Sequence, residues 1–162
     1  MANETSWQTE RVGSFSEISE RFLEQVFTIV WCNVATVDSQ GRPRSRILHP
    51  WWEALPRPTG WILTGRSAFK ERQLAGNPFV SCAYVADITR AVYADCQASW
   101  VDDIVEKERI WSAFLTAPAP MGYDPSGFFG AVDNPELGLL RVDPWRIQVE
   151  QVPPRIRRIW TP

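Results

Sequence analysis

The stretch from Trp31 to Pro78 constrains the fold of this 162-residue chain more than any other. Thr28 to Asp38 is rich in β-branched and aromatic residues and apolar on both faces except for Asn33 and Thr36, which predicts a strand buried on both sides, as in a small barrel. Ser39-Gln40-Gly41 reads as a hairpin turn in which the glycine can take positive φ. Residues 42–49 then run back as a second strand. Arg42, Arg44 and Arg46 alternate onto one face, and Pro43, Ser45, Ile47 and His49 onto the other. Pro50 ends it, and Ala54 to Gly60 is a loop punctuated by Pro56 and Pro58. Trp61 to Thr64 is a short strand. Ser67 is the N-cap of a helix to Ala75, stopped by Gly76-Asn77-Pro78.

The rest of the chain is compatible with that hairpin. Residues 1–13 form a polar lead-in. Ser14 and Glu17 have capping-box spacing, and Phe15, Ile18, Phe22 and Val26 follow at helical spacing, so 15–27 is an amphipathic helix. Phe79–Val85 and Thr89–Val101 are strands. Asp103 caps a second amphipathic helix with Glu106 three residues on, and Ile104, Trp111, Phe114 and Leu115 are expected to face inward. Residues 116–135, rich in Pro and Gly, form a loop with a short helical turn at 126–130. Leu137–Val142 and Arg146–Val152 are strands, and within a C-terminal tail over 153–162 the segment Arg155–Trp160 is a short strand or an exposed end. Strands dominate and few are separated by helices. The expected fold is therefore mainly β: one domain over 1–162, an antiparallel β-barrel with helices outside.

Composition narrows the function classes. The net charge is −2 and the basic residues form no long run, so nucleic acid is not an expected partner. No apolar run approaches the roughly 18 residues of a membrane span, and MANETSWQTE lacks the features of a signal peptide, so a cytoplasmic protein is expected. Cys32, Cys82 and Cys96 are odd in number and lack C-x-x-C spacing; buried free thiols are expected, and no metal site. Asp102-Asp103 reads as helix capping. Arg155, Arg157 and Arg158 read as a solvated basic end or as contacts to an acidic ligand or partner. Nine tryptophans are many for this length, and Trp51, Trp52 and Trp61 serve either as core or as stacking surfaces.

One constellation points to chemistry. Thr64-Gly65-Arg66-Ser67 leads into a helix N-terminus, where free N–H groups and the positive dipole end favour an anion. Gly65 permits close backbone approach, and the Thr64 and Ser67 hydroxyls are natural phosphate donors. Lys70 stands in the first helical turn, where a cation forgoes about 0.3–1 kcal/mol of dipole stabilisation unless an anion is bound. Arg46, on the second strand, can add a bidentate contact. The alternative is that Ser67 only caps and the cations are solvated. His49 is the single histidine; it is either a structural hydrogen-bonding group or a contact to a ligand ring.

The runs NVATVDSQGRPRSRIL (33–48), ILTGRSAFK (62–70) and QLAGNPFVS (73–81) resemble the pyridoxamine 5′-phosphate oxidase-like flavoprotein superfamily, whose fold is the FMN-binding split β-barrel. The resemblance spans residues 15 to about 150 and is specific through 33–81. It implies a homodimer with flavin clefts between subunits and a phosphate anchor on Arg46, Thr64 and Lys70, with Ser67 beside them. It also places Ile47, Leu48, His49 and Trp51 along the isoalloxazine ring, and Leu63 and Gly65 beside the anchor. The implied activity is hydride transfer between the flavin and a small-molecule substrate, with His49 as the candidate proton donor or ring contact. Departures from the oxidase pattern are Phe69 for an Arg, Trp51 for a Lys, Ala91 for a Gln, and Arg155-Ile156-Arg157 for an Arg-x-His. They separate the chain from the vitamin oxidase itself. They bring it closer to the small flavin or deazaflavin reductases, so a 5-deazaflavin coenzyme is the alternative cofactor. A non-catalytic flavin-binding or stress-related module and a ligand-free barrel are the alternative functions.

Overall fold

The computed structural model describes residues 6–162. In chain order the elements are β1 (Gln8–Arg11), α1 (Ser16–Ile29), β2 (Cys32–Val37), β3 (Pro43–Leu48), β4 (Trp51–Glu53), β5 (Thr59–Gly65), α2 (Ala68–Gly76), β6 (Phe79–Tyr84), β7 (Val92–Val101), α3 (Ile104–Thr116), α4 (Ser126–Phe129), β8 (Leu137–Gln151) and β9 (Ile156–Trp160). The mainly β, split-barrel expectation holds.

The long strand β8 is the spine. Along one edge it pairs with β7. Along the other its first half pairs with β5 (Gly60↔Val142 through Gly65↔Leu137) and its second half with β9 (Ile147↔Trp160 through Gln151↔Ile156). The sheet continues from β7 through β6 and β2 to β3, while β5 carries β4 on its far side. Among the described residues β3 pairs only with β2, and beyond Trp61 the β4-side edge of β5 carries no strand. Two open edges therefore face the seam where the chain steps across from β3 to β4 at His49-Pro50.

Two cores flank β5, which is buried on both faces except at Gly65. The barrel interior holds Val34, Trp52, Ile62, Cys82, Tyr84 and Val142, sealed at one end by Phe22 of α1, whose ring meets Trp52 edge-on at 5.0 Å. The Trp52 indole N–H donates to the Tyr84 hydroxyl at 2.8 Å, which satisfies both polar atoms inside this core. The second core lies outside the barrel, where Ile110 and Phe114 of α3 cover Trp61, Leu63, Leu137 and Leu139. Full burial of side chains of this kind contributes about 1.5–3 kcal/mol each.

The structure corrects several expectations. The lead-in contains β1, which pairs in parallel with β9. Of the two readings of Arg155–Trp160 the strand holds, and Ile156–Trp160 is part of the sheet, ending in buried Trp160. α1 runs on to Ile29 because Phe27 and Ile29 pack against the cores, and this packing overrides the β preference of Thr28 and Ile29. Only the Glu17 half of the capping box forms: its carboxylate accepts from the N–H groups of Gly13 and Ser14, 2.9 Å each. Trp51–Glu53 is a further short strand, and β5 begins at Thr59, inside the expected loop. β7 starts at Val92 because the Asp87 carboxylate accepts from the Thr89 N–H at 2.8 Å and holds 87–90 as a turn. The two strands expected on either side of Asp143-Pro144 are one strand. Pro144, which has no N–H to donate, sits at a register shift opposite Asp95/Cys96. On α3, Ile110 and Phe114 face inward and Trp111 is partly buried, whereas Ile104 and Leu115 are exposed, being rotated off the 110/114 stripe.

Candidate functional site: a paired-cation cleft beside an aromatic pocket

Three elements bring the predicted anchor residues together. β3 supplies Arg46, the end of β5 supplies Thr64 and Gly65, and the first turn of α2 supplies Lys70. The Ser67 Oγ caps α2 by accepting from the Lys70 N–H at 3.3 Å, and its O–H remains available to donate. The Lys70 ammonium donates to Thr64 Oγ1 at 2.6 Å and to the Gly65 carbonyl at 2.8 Å. The Arg46 guanidinium donates to Thr36 Oγ1 at 2.7 Å and to Gln73 Oε1 at 2.8 Å. Arg46, Thr64, Lys70 and Gln73 line one narrow cleft with Leu48 and Val80. All the partners of both cations are neutral, and among the described residues no carboxylate pairs with either. Burial, and then the nearby Arg46 charge, push the Lys70 ammonium below its ordinary range. Two like charges held close without a counter-ion form a site that an anion would stabilise. On these grounds the residues present fit a phosphate.

A cavity of about 210 Å³ opens next to this cleft, between the free edges of β3 and β5. Ile47, Leu48 and His49 line it from one edge, and Leu63, Thr64 and Gly65 from the other. Trp31 and three aromatics from the 116–135 loop and α4 (Tyr123, Phe128 and Phe129) complete the wall. His49 stacks on Tyr123 with ring centroids 5.0 Å apart and 28° between planes, and meets Phe114 edge-on at 5.0 Å. Its Nε2 lies 3.3 Å from the Met121 sulfur. Burial pushes the imidazole down to about 4, so the ring is neutral near neutral pH, and burial pushes the Tyr123 phenol up to about 12. The pocket is therefore aromatic and uncharged, and the cleft with the two cations adjoins it, sharing Leu48 and Thr64.

Val30 also shapes this region. It ends α1 with φ of +68°, a strained conformation for a β-branched residue, and is held there by burial in the second core. The turn delivers Trp31, 58% exposed, to within 5.3 Å of the His49 ring.

Of the residues picked from the sequence, Trp51 lies apart. It packs between Phe27 and Phe114 and lines a different, apolar groove with residues 117–121. Trp52 belongs to the barrel core. Trp61 is buried under α3, its indole N–H donating to Glu53 at 2.8 Å. Asp103 caps α3 through the Val105 N–H at 2.9 Å, and Asp102 pairs with Arg66. Arg157 pairs with Glu150, and Arg158 with Glu10 across the β1–β9 pair. The three cysteines are free and buried, and burial raises the Cys32 and Cys96 thiols. Sequence reasoning missed Thr36 and Gln73, which hold Arg46, and the aromatics of the loop. Gln73 stands one helical turn after Lys70, and YDPSGFF is an aromatic cluster within a Pro/Gly-rich segment; both signals were present.

No family model and no curated protein matches the sequence. Solved structures do match. The chain superposes on a protein from Clostridium acetobutylicum related to general stress protein 26 of Bacillus subtilis, of the pyridoxinephosphate oxidase family, with a TM-score of 0.71 at 15% identity over 89% of this chain and 95% of that one. A pyridoxamine 5′-phosphate oxidase-related, FMN-binding protein from Nostoc punctiforme gives 0.64 at 19% identity over 90% and 89%. The haem storage protein HutZ from Vibrio cholerae gives 0.55 at 21% identity over 80% and 89%. The fold is that of the pyridoxamine 5′-phosphate oxidase-like split barrels, as the sequence resemblance implied.

Proposed function

We propose that the paired-cation cleft and the aromatic pocket together hold a flavin-type cofactor, FMN or a 5-deazaflavin coenzyme, for an oxidoreductase acting on a small molecule. One observation carries the reading: Arg46 and Lys70, two cations without a carboxylate partner among the described residues, line a cleft that adjoins, through Leu48 and Thr64, an uncharged aromatic pocket built on the open edges of β3 and β5. Arg46, Lys70 and the Thr64 and Ser67 hydroxyls bind the phosphate. Ile47 to His49 and Leu63 to Gly65 present backbone to the ring edge, and Tyr123, Phe128 and Phe129 exclude water from it. When bound, the cofactor supplies hydride transfer at its ring. A second copy of the chain completes the cleft by covering the exposed Trp31, Ile47 and Phe128. Trp51, half-buried and lining a different groove, has no part in this reading.

A second reading, a flavin-holding module without turnover, is favoured by one observation. The imidazole of His49, the candidate proton donor, is neutral near pH 7 and already occupied by Met121 and Tyr123. The HutZ likeness adds haem as a ligand to be tested.

The test is the visible spectrum of the purified protein, followed by calorimetric titration with FMN, the deazaflavin coenzyme and haem. Saturable flavin or deazaflavin binding supports the proposal. Bleaching of the bound flavin by a nicotinamide donor and re-oxidation by substrate then separates the enzyme from the module. Binding of haem alone would overturn the cofactor assignment.

A further inference from the structure

A second cleft, of about 510 Å³, adjoins the phosphate anchor. It lies between the β2–β3 turn and α2 and is lined by Asp38, Arg42, Arg44, Phe69, Arg72 and Gln73, among others. Its charge is unbalanced. Three guanidinium groups face one carboxylate, in a chain whose net charge is −2. That carboxylate is largely consumed by the turn: Asp38 accepts from the N–H groups of Gln40 at 2.9 Å and Arg42 at 3.0 Å, and from Arg42 Nε at 2.9 Å. These contacts, the Arg42 N–H first, pull its carboxyl below the usual range. Arg44 reaches Asp38 only at 3.8 Å, and Arg72 is exposed.

Gln73 joins the two clefts. It is 5% exposed and lines both. Its Oε1 is taken by Arg46 and Thr36, while its Nε2 is buried without a hydrogen-bond partner. A buried unpaired amide N–H is costly unless an acceptor arrives. The acceptor implied on both sides of Gln73 is anionic.

We propose that this cleft is a second anion subsite, which takes a phosphate or carboxylate group carried by the cofactor beyond the phosphate held at Arg46 and Lys70. The natural ligand then carries at least two anionic groups, as in a dinucleotide or a coenzyme with an acidic tail, and bare FMN is an incomplete occupant. The exposed Phe69 ring, 5.9 Å from the Arg46 guanidinium, stands between the two positions as an apolar contact for the linking segment. This inference rests on the cofactor reading above but can fail without it.

The experiment compares calorimetric affinities of the full chain for FMN, FAD and the carboxylate-tailed deazaflavin coenzyme, in wild type and in Arg44→Ala/Arg72→Ala. Both substituted residues are exposed, and a thermal melt confirms that the variant is folded. The expected result is that FAD or the deazaflavin coenzyme binds about tenfold tighter than FMN, or more, the increment of one charge-assisted contact. In the double variant that advantage disappears while FMN affinity is unchanged, and the advantage in the wild type shrinks with added salt. Whichever of the two extended ligands gains identifies the anion as phosphate or carboxylate. Equal affinity for all three ligands, or an advantage that survives the double substitution, overturns the second subsite and leaves the cofactor reading standing. Failure of all three to bind the wild type overturns both.

Discussion

Replacing Lys70 by methionine separates anion binding from folding. Methionine keeps the buried stem and removes the charge. In the free protein the loss of hydrogen bonds to Thr64 and Gly65 is set against relief of two penalties that the structure shows, burial of the ammonium and its repulsion by Arg46. The opposing terms leave stability within about 1 kcal/mol of wild type. Binding has no such compensation. A charge-assisted hydrogen bond to phosphate contributes about 1.5–3 kcal/mol, and each 1.4 kcal/mol is about tenfold in affinity, so FMN should bind roughly 10- to 150-fold more weakly. Riboflavin, which has the same ring and no phosphate, is the control, and its affinity should stay within about twofold. The assay is paired calorimetry of FMN and riboflavin at fixed ionic strength, with urea unfolding of the free proteins. Equal losses for FMN and riboflavin, or no loss for either, would refute the assignment of Lys70 to a phosphate.

Two further outcomes follow from the pocket wall. The His49 imidazole titrates near 4 in the folded chain against 6.5 ordinarily, so the unfolded chain takes up this proton first. The contribution of His49 to stability is complete above about pH 6.5 and is lost as the pH falls towards 4, with a ceiling of about 3 kcal/mol that partial exposure lowers to about 2. His49→Gln should flatten the stability difference between pH 7.5 and 4.5 by that amount in urea titrations; an unchanged difference would show that other groups carry it. In Gly122→Ala the new Cβ would lie 1.9 Å from the Ala117 carbonyl oxygen and 3.1 Å from that of Phe114, both backbone atoms. The loop must move, at a cost of about 1–3 kcal/mol. Met121 and Tyr123 should then release His49, so its titration measured by NMR rises towards 6.5, and a titration that stays near 4 would mean the loop had absorbed the change.

The paired-cation cleft was legible in the sequence because each of its parts is local. Ser67 announces a helix start, Gly76-Asn77-Pro78 its end, and the alternation around Gly41 sets which face of β3 carries Arg46. What stayed hidden depends on contacts between distant residues. Nothing in QTER distinguishes a strand from a lead-in until Ile156–Trp160 is alongside it. Thr28 and Ile29 read as strand because β-branched residues prefer it, and only the packing of Phe27 and Ile29 against the cores keeps this turn helical. Pro144 reads as a break because the register shift that accommodates it lies on β7, some fifty residues earlier in the chain. The resemblance puts Trp51 along the ring with Ile47 to His49, but the chain changes edges at Pro50 and turns the indole towards Phe27 and Phe114. The aromatics of the 116–135 loop were visible as residues, but their destination was not.

The parallel pairing of β1 with β9 bears on how the chain is made. Among the described residues β1 pairs with no strand except β9, and β9 docks on β8, so β1 must wait for a strand encoded far later. During synthesis residues 8–11 emerge well before the segment they pair with, and their docking joins positions nearly the whole chain apart, the kind of contact that slows folding most. Until residues 156–160 arrive, the second half of β8 presents one bare edge. A ribosome stalled shortly before Ile156 would therefore hold a chain with both clefts already encoded, β1 undocked and β9 still unmade, a species that chaperones or proteases could distinguish from the finished protein.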